Sequence, residues 1–223
     1  MDIYRLTTGP VPVLDATIPL GAYVPLDLSV TNEQLKGLEL DDPQVCQRYI
    51  HSILEPTGAK VAYGGYLEHR NLYARHRHFT LSGKSPRNIH LGLDLWAPAG
   101  TSVLAPLPGK VHSFQNNDAT GDYGPTLILE HDIDGFRFYT LYGHLSEESL
   151  FNLQEGLHKE PGDIIGFLGT EKVNGGYAPH LHFQLILHLH GNRGDFPGVC
   201  SREQVPFYSK NCPDPDFLLK IPS

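Results

Sequence analysis

Short apolar runs separated by turn-forming residues fill most of this sequence, and they constrain the fold more than any other feature. From Tyr63 onward the runs alternate with glycine, proline and asparagine; the clearest are 103–107, 126–130, 136–142, 164–168 and 182–187. Runs of this length are typical of β-strands, and several in succession indicate an all-β domain. The sequence therefore predicts an all-β domain that begins near residue 63.

The first 60 residues have a different pattern. Asp42 and Pro43 form a good N-cap and first helical position. Apolar residues then recur at helical spacing and predict an amphipathic helix that ends before Pro56. We therefore predict a helical extension over 1–62, a β domain over 63–205, and a tail over 206–223 that packs on the domain.

Two histidine motifs lie within the β-like stretches. His90-Leu-Gly-Leu-Asp94 ends in a carboxylate, and His180-Leu-His182 opens the last long run. A lone histidine in a strand is more often a hydrogen-bonded core residue, so the prediction depends on both motifs occurring together. Two imidazoles and one carboxylate leave a fourth tetrahedral position for water, as in a catalytic rather than a structural zinc site.

Strand geometry limits how these side chains can share one ion. Residues i and i+2 of a strand lie about 6.6 Å apart, whereas a Zn–N bond is about 2.0–2.1 Å. One histidine of His180-Leu-His182 should therefore bind the ion while the other reaches the water or the substrate. His90 and Asp94 would be about 13 Å apart on a straight strand, so the chain should bend at Gly92.

Two further histidine pairs have the same spacing. His188-Leu-His190 lies about 26 Å further along an extended strand and precedes the turn signal Gly191-Asn192. His76-Arg-His78 lies in a charged run. We interpret both as surface pairs.

Further motifs complete a resemblance to a known family. They are Ala-Pro-Ala-Gly-Thr-Ser-Val at 97–103, Ala-Pro-Leu-Pro-Gly at 105–109, Leu-Tyr-Gly-His-Leu-Ser at 141–146, Pro-Gly-Asp-Ile-Ile-Gly at 161–166 and Pro-His-Leu-His-Phe at 179–183. Together with the His90 motif, and in this order, they resemble the lysostaphin/LytM-type zinc peptidases.

That resemblance implies a fold, a site and an activity. The fold is a duplicated hybrid-motif antiparallel β-sandwich or barrel, and the activity is that of a zinc metalloendopeptidase. One Zn²⁺ per chain would be held by His90, Asp94 and His182, with His144 and His180 as active-site histidines. The substrate would be a peptide, a peptidoglycan-like peptide or a small amide, hydrolysed by a metal-activated water.

A finer resemblance lies outside those motifs, at 123–126, 174–179, 183–185, 195–199 and 212–215. It is to a peptidase-type domain of larger proteins that also carry kinase-like and aminotransferase-like domains, and this chain looks like a free-standing form. The chain departs from cell-wall hydrolases at Gln184, where they usually carry Glu. Arg87 is a further candidate oxyanion donor. A substrate groove could include Tyr63, Tyr66, Arg70 and Tyr73, although ordinary packing explains them equally well.

Two other functions fit parts of the pattern. A non-haem iron oxygenase also uses two histidines and one carboxylate, but it usually spaces the first pair as HxD and leaves His180 unexplained. A non-catalytic binding or carrier module of related fold would account for the His-x-Gly-x-Asp segment. The complete ligand set disfavours that alternative.

Net charge, apolar run length and cysteine spacing indicate which classes of partner and which cellular compartment to expect. The 17 basic and 25 acidic residues give a net charge of -8, which excludes a basic footprint for nucleic acid or anionic lipid. No apolar run is long enough to predict a membrane span, and the first residues do not form a signal peptide. Three cysteines without CxxC spacing predict free thiols in a cytoplasmic protein, whereas an exported protein could pair Cys200 with Cys212.

Overall fold

The computed structural model describes residues 6–71 and 85–222, and β-strands dominate it. The strands are β1 (Tyr23–Pro25), β2 (Val61–Gly64), β3 (Ile89–His90), β4 (Leu93–Trp96), β5 (Ser102–Leu104), β6 (Gly109–Asn117), β7 (Gly124–Ile133), β8 (Phe136–Gly143), β9 (His158–Lys159), β10 (Ile164–Phe167), β11 (His180–Ile186) and β12 (Val199–Cys200). The α-helices are α1 (Pro43–Thr57), α2 (Val205–Asn211) and α3 (Asp216–Leu219). Short 3-10 helices span Leu20–Ala22, Glu33–Leu35, Glu147–Leu150 and Arg202–Gln204.

Eight of the strands form one sheet, in the order β1-β2-β4-β11-β8-β7-β6-β9. Its pairs are antiparallel except for β1 with β2. Two small antiparallel sheets pair β5 with β10 and β3 with β12. A mostly β architecture is thus confirmed. The large sheet ends at β1 and β9, so the described residues contain no closed barrel, and the duplicated sandwich stays a prediction.

All five predicted apolar runs overlap a strand, but the bounds of the strands differ from those of the runs. β7 extends beyond its run to Ile133, and a two-residue turn connects it to β8. Asp134 and Gly135 in this turn have positive φ angles of 51° and 79°, the conformation that tight hairpins favour. β6 was not among the predicted runs. Three of its residues, Lys110, Gln115 and Asn116, are exposed and polar, so its apolar signal is weak.

Helix α1 begins where the sequence predicts. The Asp42 carboxylate accepts hydrogen bonds from the backbone N–H groups of Gln44 and Val45, at 2.8 and 3.2 Å. The predicted end before Pro56 is wrong, because the helix includes Pro56 and stops at Gly58, whose φ is 68°. Pro56 has no N–H to donate to the preceding turn, but the Thr57 hydroxyl donates to two carbonyls of that turn. These hydrogen bonds stabilise the end of the helix.

The apolar stripe of α1 packs into the fold, as predicted. Cys46 and Ile50 join Leu26, Leu28, Ala62, Trp96 and Ala178 in one buried cluster. The main core, on the other side of the sheet, includes Leu218, Leu219 and Ile221 from the C-terminal tail. The division of the chain into three segments remains a prediction, but both outer segments contact the strands that carry the histidine motifs.

Among the described residues, no helix has the length and apolar character needed to cross a membrane. Cys46, Cys200 and Cys212 are buried free thiols, in agreement with the thiol prediction.

Candidate metal centre and active site

Strand β11 positions the second histidine motif at the centre of the large sheet. Its odd-numbered residues Leu181, Phe183 and Leu185 pack in the main core. Because side chains alternate between faces, His180 and His182 lie on the opposite face. Within the pairing register, His182 stands opposite Asp94 of β4. The pleat of two neighbouring strands thus brings a histidine and a carboxylate together.

Gly92 lets the first motif reach the same point. β3 pairs with β12 while β4 pairs with β11, so the chain changes sheets between His90 and Asp94, confirming the predicted bend. A Cβ at Gly92 would lie 2.6 Å from Cε1 and Nε2 of His182 and 2.8 Å from the Phe183 carbonyl oxygen. Only glycine leaves room for the histidine ring here.

His90, Asp94 and His182 converge in a buried cluster, each 2% exposed. Asp94 Oδ1 lies 3.2 Å from His90 Nε2 and 3.2 Å from His182 Nδ1, and the two nitrogens are 2.8 Å apart. Zinc bonds of about 2.0–2.1 Å at tetrahedral angles place ligand atoms about 3.3 Å apart. The cluster therefore has the dimensions of a zinc site.

The outer hydrogen bonds of the two histidines fix their tautomers. His90 Nδ1 lies 2.9 Å from the Gly65 carbonyl oxygen, to which it can only donate. His182 Nε2 lies 2.9 Å from Gln184 Oε1, and the Gln184 amide nitrogen donates to the Pro197 carbonyl, which leaves its oxygen facing His182. Both imidazoles thus turn a lone pair toward Asp94, the arrangement that metal-binding histidines require.

Electrostatics keep His90 and Asp94 in metal-binding protonation states. Burial lowers the pKa of His90 to about 4, against the opposing effect of Asp94. Burial alone would raise the pKa of Asp94, but His90 and Arg70 outweigh it and hold that pKa well below its ordinary value. At neutral pH His90 is therefore a neutral imidazole and Asp94 an ionised carboxylate, the forms in which they can bind a divalent cation.

His180 and His144 lie beside the cluster. Their rings are 4.2 Å apart between centroids, and His180 Nε2 is 3.9 Å from Asp94 Oδ1. His180 Nδ1 donates to the Ala178 carbonyl at 2.8 Å, and His144 Nδ1 donates to the Asn174 carbonyl at 2.7 Å. Each ring therefore keeps Nε2 as its proton-accepting nitrogen.

Burial lowers the pKa of His180, and burial together with His180 and His182 holds the pKa of His144 well below its ordinary value. His144 also has a φ of 64°, a left-handed conformation that is uncommon outside glycine. Backbone hydrogen bonds with Tyr123 and Gly169 hold it there. Such strain is characteristic of functional positions.

A cleft of about 310 Å³ opens onto the five residues. Tyr123 and Tyr177 line it next to His144. Arg87 lines it as well, with its guanidinium donating to the Val199 carbonyl at 2.9 Å. The cleft has room for a peptide-sized segment rather than a single water.

The other residues named in the sequence analysis lie outside the group of five histidine and aspartate side chains. Arg70 lies against Asp94, whereas the Tyr66 hydroxyl donates to the Cys212 carbonyl. His188 and His190 are exposed, as predicted, and the described part of the chain contains no second group of three metal-binding side chains. Tyr73, His76 and His78 lie outside the described residues. Sequence reasoning missed the part that Arg70, Gly65 and Tyr123 play here, because their contacts with the motif residues are tertiary.

Comparison with known proteins identifies relatives of this region. The sequence model of peptidase family M23 matches residues 88–194. The "DD-carboxypeptidase/endopeptidase Mpg" of Neisseria meningitidis serogroup B is 36% identical over 96 residues, which is 43% of this chain and 20% of that protein. The protein of the same name from Neisseria gonorrhoeae is 35% identical over 96 residues, with the same coverage. The match thus spans about a fifth of these curated relatives.

Solved structures include two similar chains. The catalytic domain of lysostaphin from Staphylococcus simulans is 25% identical, with a TM-score of 0.38, covering 64% of this chain and 99% of that one. The catalytic domain of the prophage-encoded M23 protein EnpA from Enterococcus faecalis is 22% identical, with a TM-score of 0.39, covering 52% and 81%.

Proposed function

Residues 88–194 of this chain match the sequence model of peptidase family M23, and on that premise we propose that the protein is a zinc-dependent metallopeptidase that hydrolyses a peptide or amide bond. One observation carries the proposal. The lone pairs of His90 Nε2 and His182 Nδ1 and the carboxylate of Asp94 converge at 2.8–3.2 Å. Three buried acceptors at this separation repel one another unless a cation lies among them.

The ligand assignment follows from these atoms. His90 would bind through Nε2, His182 through Nδ1 and Asp94 through Oδ1, one ion per chain. A bound zinc ion supplies a Lewis acid and lowers the pKa of a water molecule to about 7.

The two other histidines supply proton transfer. His180 Nε2 lies close to Asp94 and would accept a proton from the attacking water, then return it to the leaving amine. His144 Nε2, with its ring against His180, would orient the water or donate to the developing oxyanion. The lowered pKa values favour the neutral rings, so both can act as proton acceptors at neutral pH.

The names of the relatives support a proposal for the substrate class. The curated relatives are named as a carboxypeptidase and endopeptidase, so a peptidoglycan-like peptide is the leading candidate, followed by another peptide or a small amide. The duplicated hybrid-motif sandwich belongs to the same proposal; buried apolar clusters on the two faces of the large sheet support it. An oxygenase or a carrier module would not use the pair His144 and His180, and neither is favoured.

The test is a hydrolysis screen on the zinc-loaded protein. Peptidoglycan stem peptides, glycine-rich peptides and small dipeptides are incubated with and without a chelator. We expect chelator-sensitive release of a new amine from at least one class, together with about one zinc per chain. Asp94→Ala is the matched inactive protein. Stoichiometric zinc in Asp94→Ala, or cleavage that survives chelation, would refute the proposal.

A further inference from the structure

Arg70 is buried against a side chain that we assign as a metal ligand. It is 1% exposed. Its Nη1 lies 2.5 Å from Asp94 Oδ2, and its Nε lies 2.5 Å from Glu68 Oε2. The guanidinium carbon sits 5.6 Å from the centroid of the Trp96 ring. A buried arginine that bridges two carboxylates costs solvation energy, so its position here calls for an explanation.

The surrounding chain is shaped to hold this side chain. A Cβ at Gly65 would lie 1.8 Å from Arg70 Nη2, so that position excludes any larger residue. Glu68 is fixed in turn, because its Oε1 accepts a hydrogen bond from the Leu28 backbone at 3.0 Å. The Arg70 backbone N–H donates to the Asn88 carbonyl at 2.9 Å. The guanidinium therefore has little freedom to leave Asp94.

The two oxygens of Asp94 face different partners. Oδ1 is the atom that lies 3.2 Å from each of the two histidine nitrogens. Oδ2 is the atom that accepts from Arg70. A carboxylate can bind a metal through one oxygen or through both, and the bond from Arg70 occupies the second oxygen with a rigid, directional donor.

We propose that Arg70 is a positioning residue that reserves Oδ2 of Asp94, so that the carboxylate offers a single oxygen to the metal ion, and that Glu68 holds the guanidinium in place. The inference rests on the proposed zinc function. Glu68 also offsets the positive charge of Arg70, which would otherwise oppose a cation in the neighbouring cluster. Without the pair, the carboxylate is free to rotate and its geometry is lost.

Two effects of Arg70 predict opposite results. If positioning dominates, removal of the guanidinium weakens zinc binding by about 10–100-fold, the usual effect of losing a partner of a metal ligand. If charge repulsion dominates, removal strengthens zinc binding. Arg70→Lys keeps the charge but loses the planar fork, and Arg70→Gln removes both. Positioning predicts weaker binding in both variants, whereas repulsion predicts tighter binding in Arg70→Gln.

The experiment measures zinc affinity by competition with a chromogenic chelator. Arg137→Lys is the matched control, because Arg137 pairs with Glu130 and Asp132 on an exposed part of the sheet. Thermal unfolding of the metal-free proteins reports folding separately. Cobalt substitution reports coordination, since a second carboxylate oxygen would raise the coordination number and weaken the visible absorption of the cobalt protein.

We expect lower zinc affinity and a weaker cobalt spectrum in Arg70→Lys and Arg70→Gln, and wild-type behaviour in Arg137→Lys. Glu68→Gln should lower zinc affinity under either effect, because it removes a negative charge and also loosens Arg70. Its cobalt spectrum weakens only if positioning is lost, so that spectrum carries the test if the Arg70 variants fail to fold. Wild-type affinity in folded variants, or tighter binding in Arg70→Gln, would overturn the proposal. A wild-type protein that binds no zinc would instead overturn the proposed function.

Discussion

Gly92→Ala is the smallest change that tests how the two motifs share one site. The new Cβ would lie 2.6 Å from two atoms of the His182 ring and 2.8 Å from the Phe183 carbonyl oxygen. Ordinary carbon contacts are about 3.5–4.0 Å, so the ring must move by about 1 Å. The carbonyl belongs to β11, which is hydrogen bonded on both sides, and it cannot move far.

Two quantities should change together. Overpacking of this kind typically costs about 1–3 kcal/mol of unfolding free energy. A displacement of about 1 Å also exceeds the tolerance of about 0.5 Å that a preorganised site allows. We therefore expect zinc affinity to fall by at least about 10-fold, as it does when other support of a ligand is lost.

The assay pairs chelator competition with urea unfolding of the metal-free protein. Gly21→Ala is the control, because a Cβ at Gly21 meets no atom within 4 Å, and it should leave both quantities near their wild-type values. Unchanged zinc affinity in a folded Gly92→Ala protein would refute the argument that Gly92 is there to admit the His182 ring.

Three further predictions concern individual histidines. His182→Ala should lose zinc and activity together, whereas His180→Ala should keep most of its zinc while turnover falls about 10²–10⁴-fold; equal zinc loss in both, by metal analysis, would contradict this division. Burial lowers the pKa of His131 to about 4, so the unfolded state binds the proton first as pH falls. His131 should contribute a drop of up to about 3 kcal/mol in the unfolding free energy between about pH 6.5 and pH 4, beside the contributions of other buried histidines such as His90. Urea titrations should show a correspondingly shallower drop in His131→Gln. His144 has a left-handed φ, which glycine adopts without the steric cost that a Cβ brings. The unfolding free energy of His144→Gly should therefore exceed that of His144→Ala by about 1 kcal/mol, and equal melting temperatures for the two variants would contradict this.

The sequence predicts the site best where the determining contacts are local. Alternation along β11 places His180 and His182 on one face, and a glycine inside the first motif predicts the bend between His90 and Asp94. Both follow from strand geometry within a few residues. The cluster in the structure brings together the three predicted ligands, because one pair of strands and one bend are enough to define it.

Sequence reasoning is weaker where a residue acts through a distant neighbour. Arg70 stands 24 positions before Asp94, in a polar stretch where surface, groove and core interpretations are equally open. Gly65 contributes a backbone carbonyl to His90, and a carbonyl has no sequence signature at all. β6 is missing from the predicted runs because exposed polar residues interrupt its apolar pattern. Such features become visible only when the register of the sheet is known.

These distant contacts tie the N-terminal segment to the metal cluster. The Leu28 backbone holds Glu68, Glu68 holds Arg70, and Arg70 holds Asp94. The segment also provides β1, which pairs with β2 at the edge of the sheet, and Gly64 of β2 lies opposite Asp94 in the register. The motifs from residue 88 onward supply every proposed ligand, but the proposed carboxylate ligand Asp94 is held by a residue that precedes them. The proposed metal site therefore depends on more of the chain than the family motifs.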